Sequence, residues 1–221
     1  AFSSSCASPP VRWIFCLLSI YAAALVYISR SGMAVAVIAM VSYDDEKAPE
    51  FEWSETMQVM IVNSVCKAPN NSLHPSIFFV GVLLGSQYYL YIITPTIAGR
   101  VTDRFGAKWV VFAGAAGPCL LAALTPVVTR AIGAGGLIAI RTLTGAFHGM
   151  VYSGVFSLNS RWYPPKGELA TANAGLVFGS ALGSAAMFLL AGWLSAISGW
   201  AAIFYVNAAL YLPWAAGDLL Y

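Results

Sequence analysis

Six apolar stretches, at residues 12–41, 81–101, 109–129, 134–158, 169–192 and 200–217, follow one another along this chain of 221 residues. Each is close to or longer than the roughly 20 residues with which an α-helix crosses the hydrocarbon core of a bilayer. No water is present in that core to hydrogen-bond backbone amides, so a spanning run must satisfy them within itself. Composition agrees: 59% of the residues are hydrophobic and 9% are charged, against about 25% charged in an ordinary soluble domain. The expected fold is an all-α membrane protein with six transmembrane helices. The first run is too long for a signal peptide, and it continues through Arg30 to Met40 without a cleavage site.

Charge placement predicts the orientation. Arg12 precedes the first span, Arg100, Arg104 and Lys108 lie between the second and third, and Arg161 and Lys166 follow the fourth. The positive-inside rule puts these ends, and both termini, in the cytosol. The opposite side carries Lys47, Lys67 and Arg130 beside the acidic cluster Asp44, Asp45, Glu46, Glu50, Glu52 and Glu55. The same side holds Asn70-Asn71-Ser72, a glycosylation sequon with Asn70 as acceptor. Cys6, Cys16, Cys66 and Cys119 have no metal-ligand or disulfide spacing. Neither a metal, a cofactor nor a nucleic-acid partner is expected.

Between the second and third runs stands Gly99-Arg100-Val101-Thr102-Asp103-Arg104-Phe105-Gly106-Ala107-Lys108. Its pattern G-x-x-x-D-R-x-G-x-K resembles the signature loop of the major facilitator superfamily. Further landmarks occur in order: Arg30 to Met40, Phe51-Glu52-Trp53, Tyr91 to Thr94, Arg141 to Gly149, Trp162-Tyr163-Pro164-Pro165, Gly199-Trp200 and Phe204-Tyr205. Together they resemble the anion/cation symporter family, which includes sialin, the vesicular glutamate transporters and relatives of the sodium/phosphate cotransporters. The resemblance implies the N-terminal six-helix half of a carrier whose second half lies outside this chain. Residues 59–80 interrupt the match and read as an insertion in the first non-cytosolic loop, of translated-intron character.

An ionisable residue within a span is a candidate site by default, because a charge at the bilayer centre costs about 2.5–3.5 kcal/mol. Arg30 and Arg141 qualify as substrate-binding residues. A guanidinium stays charged and presents a planar donor fork to a carboxylate or phosphate. The competing reading has Arg141 snorkelling to headgroups, and Arg30 reaching the boundary through a helix break at Ser31-Gly32. The resemblance associates both arginines with the substrate pathway. His148 follows Arg141 by seven residues, two helical turns, and so shares its face. Histidine titrates near neutral pH and is the candidate for a coupling proton, against a neutral packing role. The family carries an acidic residue at this place, and Leu84 stands where some vesicular members have histidine.

The hinge suggests a conformational gate made of Gly99, Asp103, Arg104, Gly106 and Lys108, with Glu168 as its counterpart after the fourth span. Gly99 is expected to admit close helix packing, Gly106 to supply a turn, and Asp103 to sit near the positive end of the third helix. The competing reading is a solvated loop. Leu169 replaces the family's arginine beside Glu168. Gly175, Gly179 and Gly183 form a ridge on the fifth helix for another helix to back against. An enzyme is not expected. Ser153-Gly154 resembles an intramembrane protease nucleophile only superficially, since Val151 stands where glycine is needed and the sixth span has no histidine.

The function read from the sequence is secondary active transport of an organic anion or phosphate by alternating access, driven by a sodium or proton gradient. The alternative is a truncated half-carrier that does not transport, or a partner subunit. The expected location is multi-pass, in the plasma membrane or a lysosomal or vesicular membrane.

Overall fold

The computed structural model describes residues 9–41, 75–163 and 168–220, and among these it contains helices and no strand. The helices are α1 (Pro9–Val41), α2 (Pro75–Tyr91), α3 (Thr94–Phe105), α4 (Ala107–Ile132), α5 (Ala134–Trp162), α6 (Glu168–Ser198) and α7 (Trp200–Leu220). Three segments are each long and apolar enough to cross a membrane: Trp13–Met40, Ala107–Ile132 and Glu168–Ser198. Five of the six apolar runs match one helix each, with ends displaced by a few residues.

The second run departs from expectation. It is two helices, because Pro95 near the start of α3 has no N–H for the preceding turn and its ring crowds that turn. The chain passes the break with short-range bonds: Ile93 N–H donates to the Leu90 carbonyl at 3.1 Å and Ile92 N–H to the Tyr88 carbonyl at 3.3 Å. The Thr94 hydroxyl donates to the Leu90 carbonyl at 2.7 Å. α2 also begins at Pro75, so the 59–80 stretch ends in a helix continuous with Gly81. Its remainder, together with Asn70, Lys166 and the acidic cluster at 44–55, lies outside the described residues.

Single glycines turn the chain between α3 and α4, and between α4 and α5. Gly106 (φ +91°) and Gly133 (φ +75°) take a left-handed conformation that a Cβ would resist. Their N–H groups bond back to Thr102 at 3.0 Å and Thr129 at 2.9 Å, closing the preceding helices.

The helices pack where glycines remove side chains. α6 lies on α1 through the expected ridge: a Cβ at Gly179 would strike the Ile20 carbonyl, and one at Gly183 would come within 2.7 Å of the Ala24 Cα. α5 is drawn in the same way against three neighbours. Gly145 abuts the backbone of Gln87 on α2, Gly149 faces Thr94 and Pro95 at 3.1 Å, and Gly154 receives the Val111 side chain of α4. In lipid there is little hydrophobic drive between helices, so this close approach and buried polar bonds supply the contact energy. Asn159 adds such bonds, accepting from the Ser19 hydroxyl at 3.3 Å and donating to Asn173 at 3.2 Å, which ties α1, α5 and α6. The core gathers along α1, α5 and α7, where Leu25, Met33, Leu137 and Ile203 are almost wholly covered.

Candidate functional site

α5 carries Arg141 and His148 on one buried face, as their spacing predicts: Arg141 is 4% exposed and His148 0%. Gly145 brings that face against α2, and hydrogen bonds from Arg141 and His148 reach α1 and α7. Arg141 does not snorkel outward. Its Nη1 donates to the backbone carbonyl of Ser29 on α1 at 3.2 Å, which places it beside the residue preceding Arg30.

Arg30 lies within an unbroken α1, so the break expected at Ser31-Gly32 is absent. Its guanidinium is surrounded by the rings of Tyr27, Tyr88 and Tyr91, at 5.2, 5.1 and 4.5 Å from their centroids. Ring faces attract the cation without consuming its N–H donors. Arg30 Nε and Nη2 are buried with no hydrogen-bond partner, and so is Arg141 Nε. The acidic side chains described are Asp103 and Glu168, both at helix ends, and neither pairs with these arginines. Two cations are thus held in the bundle with unused donors and no described counter-anion.

His148 is held on both ring nitrogens. Gln87 Nε2 lies 2.7 Å from Nδ1 and Tyr211 Oη lies 2.9 Å from Nε2. With the Gln87 amide placed this way, its N–H donates to Nδ1, and Nε2–H is left to donate to the tyrosine oxygen; this tautomer follows from the assigned amide orientation. The contact joins α2, α5 and α7 through three side chains that are each at most 2% exposed. Gln87 and Tyr211 were not singled out from the sequence. Gln87 had a signal, as a polar residue inside an apolar run, while Tyr211 had none that separates it from the other aromatic residues.

At the other end of α3 lie the candidate gate residues of the hinge. Asp103, Arg104 and Lys108 are exposed and form no ion pair with one another among the described residues. Gly99 makes no close approach among the described residues, since a Cβ there would meet nothing within 4 Å. One local expectation is corrected. Asp103 belongs to the last turn of α3, ahead of the Gly106 turn, rather than to the start of the next helix. Glu168 occupies the first turn of α6, where its charge favours the positive end of the helix dipole. Ser153, the superficial nucleophile, donates its hydroxyl to the Pro95 carbonyl at 3.0 Å, so it serves the α3–α5 contact.

Residues 21–221 match the family model of the Major Facilitator Superfamily. Similar curated proteins are transporters. A "Putative inorganic phosphate cotransporter" of Drosophila ananassae is 26% identical over 198 residues, covering 88% of this chain and 41% of that protein. The "Probable small intestine urate exporter" of Mus musculus is 31% identical over 195 residues, covering 82% and 37%. "Sialin" of Homo sapiens is 26% identical over 208 residues, covering 92% and 41%. The chain therefore spans about two fifths of the length of these relatives.

Proposed function

The chain belongs to the major facilitator superfamily, and from that premise we propose that it forms the N-terminal six-span half of a carrier for an organic anion or phosphate. In this reading α2 and α3 together make the second span. The hinge at Gly106 and both ends of the described chain face the cytosol, and transport runs by alternating access against a second six-span half. A sodium or proton gradient supplies the energy.

One observation carries the choice of substrate charge: Arg30 and Arg141 are held within the bundle with three buried guanidinium nitrogens unpartnered. A buried donor without an acceptor costs about 1–3 kcal/mol, and more when charged. An anion entering from water would satisfy Nε and Nη2 of Arg30 as a bidentate pair and reach Nε of Arg141. The tyrosines around Arg30 hold its position while leaving that in-plane edge available. The relatives named as an inorganic phosphate cotransporter and a urate exporter fit an anionic cargo.

His148 is the coupling candidate because it connects the arginine face of α5 to α2 and α7. Taking up a proton would make both ring nitrogens donors, which requires Gln87 to turn its amide and offer oxygen. The test is uptake by the full-length protein in reconstituted vesicles, comparing phosphate, glutamate and sialic acid under imposed sodium and pH gradients. Saturable uptake of at least one anion, dependent on one gradient, is expected. Uptake of a cation or neutral solute instead, with none of the anions carried, would overturn the reading.

A further inference from the structure

Beside the hinge, a cleft of about 420 Å³ opens on the outside of the bundle, walled by α3 and α4 and floored by Met150 of α5. Ile97, Val101 and Phe105 form one wall and Trp109 and Ala113 the other. Phe105 and Trp109 are each 64% exposed and Ile97 is 55% exposed. From residue 97 to residue 105 the wall is about 12 Å long at 1.5 Å per residue. That length suits the upper part of an acyl chain.

The flank of α3 that carries this cleft differs from the one left for another helix. Ala98 and Thr102 are 1% exposed and face the bundle. At 100° per residue, Ile97, Val101 and Phe105 turn to one side of that direction, while Gly99 and Asp103 turn to the other. The Gly99 flank is small and open, as a close-packing helix requires. The cleft flank has bulky side chains with a gap between them, which a flexible chain fills better than a second helix does.

Charge selects the headgroup. Arg100, Arg104 and Lys108 are exposed on the two helices that wall the cleft, with Asp103 the acidic residue among them. The Arg104 guanidinium lies 5.9 Å from the ring of Phe105, the outermost residue of the wall. We infer that this cleft is a binding site for an anionic glycerophospholipid, its acyl chain lying along Ile97, Val101 and Trp109 and its headgroup against Arg104 and Lys108. The inference rests on the cytosolic orientation proposed above, since anionic lipids concentrate in the cytosolic leaflet. A lipid seated there touches the helices on both sides of Gly106, so its occupancy adjusts the hinge.

The experiment is native mass spectrometry of the full chain in non-ionic detergent, titrated with palmitoyl-oleoyl phosphatidylserine or the matching phosphatidylcholine. Phosphatidylserine should be retained about twenty-five-fold better, about fivefold for each of the two cations. Arg104→Gln with Lys108→Gln should abolish the preference. Ala113→Trp, which fills the cleft, should lower retention of both lipids, while glycerophosphoserine without acyl chains should not compete. Equal retention of the two lipids, or full competition by the bare headgroup, would overturn the site. So would a disulfide from Val101→Cys to a second copy or to a later span of the full-length carrier. The glutamine variants alter exposed side chains, so they fold whether or not Ala113→Trp does. Retention is read without substrate, so its failure leaves the transport reading standing, and failed uptake leaves the lipid result standing.

Discussion

Gly183→Ala offers the most direct physical test of how this bundle is held together. The added Cβ would sit 2.7 Å from the Ala24 Cα and 2.9 Å from its carbonyl carbon. Carbon atoms prefer about 3.5–4.0 Å, so α1 and α6 must part by about 1 Å. The obstructing atoms are backbone, and no rotamer change relieves them. Overpacking of this kind costs about 1–3 kcal/mol. Parting would also loosen the contacts of Gly179 and Gly175, which face Ile20 one and two turns away. For a chain of this size, about 2–4 °C accompanies each kcal/mol, so a fall in Tm of about 2–12 °C is expected. Gly192→Ala is the control, because a Cβ there meets nothing within 4 Å on the same helix. Replacing an exposed helical glycine with alanine favours the helix by up to about 1 kcal/mol, so its Tm should hold or rise. Thermal unfolding of the purified protein in detergent reads both. Equal Tm shifts for the two variants would refute the argument that backbone contact, rather than helix propensity, governs this ridge.

Three further outcomes follow from the site and the hinge. Arg141→Lys keeps a charge but loses the planar fork that reaches Ser29; vesicle uptake of the transported anion should fall at least about tenfold, about 1.4 kcal/mol, and unchanged uptake would remove Arg141 from the substrate path. His148→Ala strands Gln87 and Tyr211 inside the bundle, at about 1–3 kcal/mol for each unpaired group. Its Tm should therefore drop more than that of Tyr211→Phe, which removes one of the two bonds, and a smaller drop would show that the histidine bears no such load. Asp103→Ala should slow turnover while leaving equilibrium anion binding intact; lost binding at normal turnover would contradict its role in the gate.

The helices were legible in the sequence because lipid leaves the backbone few alternatives, so apolar length translates almost directly into spans. The glycine ridge on α6 was legible for a related reason, since its period marks a face. Its partner was not, because any helix with a flat surface satisfies that pattern, and α1 was identified only by the contact of Gly183 with Ala24. The break at Ile92 and Ile93 had its cause in plain view at Pro95, but hydropathy averages over a proline and reported one run. Gly99 shows the converse. A glycine in a signature loop suggested close approach, while among the described residues there is open space beside it.

The site divides along the same line. Sequence alone determined that two permanently charged side chains and a histidine lie within apolar runs, and helical period fixed Arg141 and His148 to one face. The tertiary structure decided that Arg141 reaches α1 at Ser29, that three tyrosines enclose Arg30, and that His148 is gripped by Gln87 and Tyr211. The hydrogen-bond partners of Arg141 and His148 lie 61 to 112 residues away along the chain. Periodicity records which way a side chain points from its own helix. The identity of the group it meets depends on crossing geometry, which at Gln87 is set by Gly145 bringing the α5 backbone against that of α2.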